Sequence, residues 1–306
     1  MSVAWTDDDR ALLAKLNKSS WERSFTPEAN VDWSSSVTTR EEMLALYDAW
    51  SLLLGTGHDS ELDEDARARF AAYQQMNLML FTAMFERFAL PNFSAMLRDD
   101  PDPAYQEYVA HLIKEETYHQ MMFLRTIAKL RADDPTLQEV PRLHIEMLMN
   151  VVLSSMRLMP SRWLRHGMSF FFLRFAEEIT LQANTIAKQA VPRAESLVPR
   201  VWELHAVDEA RHVAFDTLMM KKARGPGPFA KLPALYTLPV CVIASIALNI
   251  NDVWAARKVG AKVSYLHLPA LMMKTKAPFK RRVFSLVKAS LRRLDASAPP
   301  PAEVAQ

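Results

Sequence analysis

The chain of 306 residues holds one cysteine, Cys241, and only 6 glycines. A single cysteine excludes an intramolecular disulfide and any multi-cysteine zinc site, and agrees with a reducing, cytoplasmic setting. Scarce glycine argues against a turn-rich α/β fold, and no phosphate-binding loop or dinucleotide fingerprint occurs. An excess of one charge is missing too. Lys and Arg number 37 against 35 Asp and Glu, a formal net charge of +2 that implies no nucleic-acid partner. The opening MSVAWTDDDR is acidic and lacks an apolar core, so no signal peptide is expected.

Long hydrophobic runs are also few. Leu232 to Ile250 carries no charge, but Pro233, Pro239, Ser245 and Asn249 interrupt it. It reads as a helix buried in a core or a homodimer interface rather than a membrane span. Lys274 to Leu294 is basic and amphipathic. It reads as a solvated helix face above a covered apolar stripe, with a membrane surface or an acidic partner as the alternative.

What is present is helical periodicity. Half of the residues (50%) are hydrophobic, enough for a sizeable core. Helices are expected over 7–18, 39–54, 64–96 with a kink at Pro91, 103–131, 143–158, and from the MPSRW stretch to 190. A turn at 191–199, a helix to Lys222, a breaker at ARGPGPF and two C-terminal helices complete the pattern. The expectation is an all-α fold: one domain over 1–294, a metal-binding four-helix bundle at about 64–222, and a disordered tail over 295–306.

One stretch breaks the apolar pattern. HAVDEARH places His205, Glu209 and His212 on a single helical stripe, Glu209 about 40° to one side of His205 and His212 about 20° to the other. Glu209 and His212 are spaced i, i+3, as are Glu116 and His119 in EETYH. A carboxylate and an imidazole at that spacing share a helix face and can hold one metal ion. One such pair is common by chance on helix surfaces; two, each preceded by a long helix with an embedded glutamate, are far more specific. The embedded residues are Glu86 and Glu178, which lie 30 and 31 residues before Glu116 and Glu209. In antiparallel hairpins those separations bring the glutamates to one level. Glu177 adjoins Glu178; the matched separation selects Glu178 and leaves Glu177 exposed or behind the ligands. Four buried glutamates supply a charge that two divalent ions balance, whereas unpaired carboxylates in an apolar core cost several kcal/mol each.

Asp208 and Glu115 each precede a ligand glutamate. Since a metal-bound imidazole donates its other N–H to a carboxylate, Asp208 can orient His119 and Glu115 can orient His212. The alternative is a surface ion pair, Asp208 with Arg211 or Arg131. His58, His111, His144, His166 and His267 fit no ligand spacing. Carboxylate and imidazole donors without thiolate suit iron or manganese, and zinc on donor type alone. Met76, Met79, Met121, Met122 and Phe170 to Phe172 share these helices, as ordinary core or as surroundings for an apolar substrate.

EETYH, Glu86, Glu178 and above all HAVDEARH resemble the p-aminobenzoate N-oxygenase (AurF-like) group of ferritin-like di-iron oxygenases. Glu-x-x-His pairs alone would also match ribonucleotide reductase small subunits, hydrocarbon hydroxylases and ferritins. His205 discriminates, because an extra histidine one turn before the second pair marks the N-oxygenase group. The resemblance covers about 64–222. It implies the ligands Glu86, Glu116, His119, Glu178, His205, Glu209 and His212 around two iron ions (Fe2+/Fe3+), with manganese as an alternative. It further implies O2 as co-substrate and oxidation of an amine, an arylamine by analogy, to a hydroxylamine, nitroso or nitro product through a peroxo-diferric intermediate, in specialised metabolism. An external electron donor, a ferredoxin or reductase, and a homodimer follow from the same resemblance. A di-iron C–H hydroxylase or desaturase, and a ferritin-like iron-binding protein, remain the alternatives.

Overall fold

The computed structural model describes residues 5–157, 162–192, 196–222, 232–283 and 285, and every regular element among them is helical. Four long helices form the centre: α4 (Glu64–Asp99), α5 (Pro103–Asp133), α7 (Arg162–Ala190) and α8 (Leu197–Lys222). α4 packs along α5 and α7 along α8, and the two pairs meet through α5 with α8 and α4 with α7. This is a four-helix, ferritin-like core. Around it lie α1 (Asp7–Arg23), the short α2 (Pro27–Asn30), α3 (Arg40–Trp50), α6 (Leu143–Arg157), α9 (Leu232–Lys258) and α10 (Leu268–Lys274).

Local chemistry sets the starts of these helices. Asp63 accepts from the Ala66 N–H at the head of α4. Asp102 accepts from Ala104 and Tyr105 at the head of α5, where Pro103 occupies the first position. Both use a side-chain oxygen to satisfy N–H groups that have no partner within the helix. Thr6 with Asp9 and Thr39 with Glu42 form reciprocal capping boxes on α1 and α3.

Three expected boundaries shift. α4 continues through Pro91 to Asp99 as one helix. α1 runs past Lys18 to Arg23, which brings Ser20 and Phe25 over the bundle. The expected turn to Pro199 ends earlier, because α8 begins at Leu197. Its first two N–H groups donate to the Ser36 and Val37 carbonyls (3.0 and 3.1 Å), and Pro199 has no N–H to lose. The ARGPGPF breaker, the tail over 295–306 and most of the basic segment after Val283 lie outside the described residues.

The uncharged run of α9 is fixed by polar groups at its far end. Asp252 accepts from Gln74 (3.1 Å), Asn77 (3.2 Å) and the Lys280 ammonium (2.6 Å), all buried. Asn251 bonds Asn77 and the Pro141 carbonyl, both at 3.0 Å. No described helix is long and apolar enough to cross a membrane.

Candidate metal centre

The stripe read in HAVDEARH points into the bundle. His205 is 1%, Glu209 2% and His212 0% exposed, so the stripe faces other side chains rather than water. Donor atoms of Glu86 (α4), His119 (α5), His205 and Glu209 (both α8) lie within 4.8 Å of one another, and so do those of Glu116 (α5), Glu209 and His212 (α8). Glu209 belongs to both groups. His205 Nε2 is 3.0 Å from Glu86 Oε1 and 2.9 Å from Glu209 Oε1. His119 Nδ1 stands 3.5 Å from Glu209 Oε1, and His212 Nδ1 stands 3.4 Å from Glu116 Oε1.

The outer edges of the imidazoles are tied down. His119 Nε2 lies 3.0 Å from Asp208 Oδ2, and His212 Nε2 lies 2.9 Å from Glu115 Oε2. A carboxylate there takes a donated N–H, which leaves Nδ1 as a lone pair aimed at the cluster. Asp208 also pairs with Arg211, so both readings of Asp208 coexist, and the ion pair is buried rather than on the surface. Inside the cluster, His119 Nδ1, His212 Nδ1, Glu86 Oε2, Glu116 Oε2 and Glu209 Oε2 have no hydrogen-bond partner. Buried polar atoms normally have one. These orphaned atoms converge with His205 Nε2 on one space, an arrangement that fits divalent cations bound between them once the imidazole protons are displaced.

The structure separates Glu177 from Glu178. Glu178 turns outward and accepts from Arg174 at 2.9 and 3.0 Å. Glu177 lies 3% exposed, lines the same cavity as Glu86, Glu116, His205 and Glu209, and has both carboxylate oxygens unpartnered. Of the two neighbours it is Glu177 whose carboxylate lies among the cluster's side chains, against the expectation of Glu178, although neither belongs to the two close donor groups. Counting residues back from Glu209 is accurate to one residue only, while one residue turns a helix by 100°. In the folded chain Leu173, Glu177, Thr180 and Asn184 form a buried stripe, whereas Arg174, Glu178, Leu181 and Thr185 form a more exposed one.

Two further buried polar groups escaped sequence reasoning. Asp216 is 1% exposed and one turn beyond His212, with Oδ2 unpartnered; its i+4 spacing from His212 was a legible signal. The Tyr108 hydroxyl is buried without a partner and offered no such signal. Met76, Met79, Met122 and Phe170 to Phe172 are buried core, and Met121 is 46% exposed. Phe25, just after α1, stacks on the His119 ring at 5.9 Å between centroids, and Trp202 and Phe123 pack against His205. The N-terminal segment thus helps to wall off the site from water.

Crowded acids shift one another. Burial pushes Glu86 up to about 7, against the pull of His205 and His119. Burial, then the neighbouring carboxylates, push Glu177 and Asp216 well up. Burial would lower His119 and His212, but Asp208 and Glu116 raise the first, and Glu209 and Glu115 the second, well above the usual imidazole range. All these groups bind protons more tightly folded than unfolded. Such groups stabilise the fold below the unfolded pKa and lose that contribution as pH rises through the folded one. The metal-free protein should therefore lose stability as pH rises from about 4.5 through about 7. Glu115, which burial raises but His212 and Arg211 hold down at about 2, opposes this only in acid. Saturating Fe2+ should reverse the slope, because ligation displaces those protons. Thermal melts at about pH 5 and about pH 8, with and without the ion, check this; parallel slopes would contradict it.

The family described as "P-aminobenzoate N-oxygenase AurF" matches residues 6–285. The match extends beyond 64–222 to α1 at one end and α10 at the other, elements that the sequence motifs left unassigned. No curated protein matches the chain.

Proposed function

From its membership of the P-aminobenzoate N-oxygenase AurF family, to which the chain belongs over residues 6–285, we infer that this ferritin-like metal-dependent oxidoreductase is a di-iron amine N-oxygenase. The observation that carries the reading is His205. It adds a third imidazole to the buried groups and sets Nε2 at hydrogen-bond distance from carboxylates of two helices, Glu86 on α4 and Glu209 on α8. Generic Glu-x-x-His sites supply two imidazoles beside four carboxylates; the third adds a neutral donor to that set.

Glu86, Glu116, Glu177, Glu209, His119, His205 and His212 would hold two iron ions. When bound, the iron pair supplies O2 activation. The chain's own residues do the rest. Asp208 and Glu115 fix the tautomers of His119 and His212. Thr82, Phe85, Ala176 and Thr180 flank the cavity beside the carboxylates, where an amine nitrogen would be presented. Phe25, Phe123 and Trp202 exclude water, which protects the reacting centre from side reactions. Electrons come from an external carrier in this reading.

The test is product analysis with p-aminobenzoate and other arylamines, using reduced protein loaded with two irons per chain. Hydroxylamine, nitroso or nitro products are expected. His205→Ala should lower their formation by about 10- to 100-fold or more, the loss usual even for groups one step removed from a metal. Products hydroxylated only on carbon would replace this reading with the C–H hydroxylase one. Storage of many irons per chain would replace it with a ferritin-like one.

A further inference from the structure

The two metal-binding motifs share Glu and His at matching places but differ in the residue just before the histidine. EETYH has Tyr118 where DEARH has Arg211. Arg211 is 6% exposed and lies between the halves of the site. Its Nη2 donates to Glu115 Oε1 at 2.9 Å and also to Asp208 Oδ1. The other oxygen of Glu115 faces His212 Nε2, and the other oxygen of Asp208 faces His119 Nε2. His119, Asp208, Arg211, Glu115 and His212 thus form one unbroken chain of hydrogen bonds. The links cross the bundle: Asp208 of α8 serves a histidine of α5, and Glu115 of α5 serves a histidine of α8. Nη1 and Nε are also engaged, with the Val207 carbonyl and with Ser20 Oγ of α1, both at 3.2 Å.

We propose that Arg211 is a positioning residue that holds His119 and His212 through their two carboxylates, so that one guanidinium sets the readiness of both metal positions. This rests on the di-metal reading above. Nη2 serves both carboxylates while Nη1 and Nε anchor the planar group to Val207 and Ser20, a set of bonds that one ammonium with three N–H donors on a flexible stem cannot reproduce. Burial makes the carboxylates depend on it, because an uncompensated buried charge is strongly unfavourable. Among the described residues no other arginine bonds Glu115 or Asp208, and Tyr118 holds the matching place on α5. The N-terminal helix enters the same chain through Ser20, which is fully buried.

The test is anaerobic Fe2+ titration of the metal-free full chain, followed calorimetrically, with circular dichroism to show that each variant is folded. Wild type should bind two ions. Arg211→Lys, which keeps the charge and loses the fork, should weaken both stepwise affinities by about 10- to 100-fold, the usual consequence of losing an outer partner. Asp208→Asn should weaken one of the two, and Glu115→Gln the other. A residue that merely packs would not split the effects in this way. Should Arg211→Lys fail to fold, Ser20→Ala tests the same chain, with a smaller loss expected at both positions. Two ions bound by the variant with unchanged affinities, or only one affinity lowered, would overturn the proposal while leaving the di-metal reading intact. Failure of wild type to bind two ions would overturn both.

Discussion

Glu209→Gln is expected to remove both metal ions, whereas Glu116→Gln or Glu86→Gln should remove or weaken one. Glu209 is the one residue common to the two donor groups. Its Oε1 stands 2.9 Å from His205 Nε2, 3.5 Å from His119 Nδ1 and 3.7 Å from His212 Nδ1. Burial raises its pKa, but His205 and His212 overcome this and hold it well below the usual carboxylate range. It therefore stays ionised where Glu86 is pushed up to about 7. An anion facing all three imidazoles can bridge two cations; an amide there brings an N–H donor and no charge. Amine oxidation should fall by more than about 100-fold, the upper end of what loss of an outer partner alone causes. Metal content separates the variants: none for Glu209→Gln against about one ion for Glu116→Gln. Two ions retained by Glu209→Gln would show that the shared position is not a bridge.

The parts of this molecule that were legible in its sequence are those governed by spacing along a single helix. Glu116 with His119, and His205 with Glu209 and His212, needed only the helical period, and the structure brings all five together. The long helices were legible because capping aspartates and apolar periodicity agree at their starts. What required the space between helices was less accessible. Glu177 and Glu178 differ by 100° around α7, and the loop between α7 and α8 can absorb one residue without trace. Arg211 was visible as an ion-pair partner for Asp208, but not as the group that also reaches Glu115 on α5 and Ser20 on α1. Phe25 lies 94 positions from the imidazole it covers in the folded chain, and no local pattern announces that contact. The family match from residue 6 onward agrees with such a role, since it takes in α1.

Glu177→Gln and Glu178→Gln should behave oppositely although they are neighbours. Glu177 is buried among Glu209, Asp216 and Glu116, whose charges together with burial push its carboxyl well up. A carboxylate with two unpartnered oxygens in that setting costs free energy unless a cation neutralises it. Glu177→Gln in the metal-free protein therefore removes a strained acid and should leave thermal stability equal or higher at about pH 8, where the raised carboxyls are being forced to ionise. In the loaded protein the same change removes a metal donor, and activity should fall by about 100-fold or more. Glu178 pairs with Arg174 at 2.9 Å on a partly exposed helix face. The two side chains are 18% and 13% exposed and their pairing does not involve the cluster, so losing it bears on stability rather than on the metal donors. Glu178→Gln should leave iron content at two per chain and activity within about threefold of wild type. Iron content with steady-state rates for the two variants decides the matter. If Glu178→Gln loses iron and Glu177→Gln keeps it, the register of α7 read from the structure is wrong by one residue, and the carboxylate chosen by sequence spacing is the ligand after all.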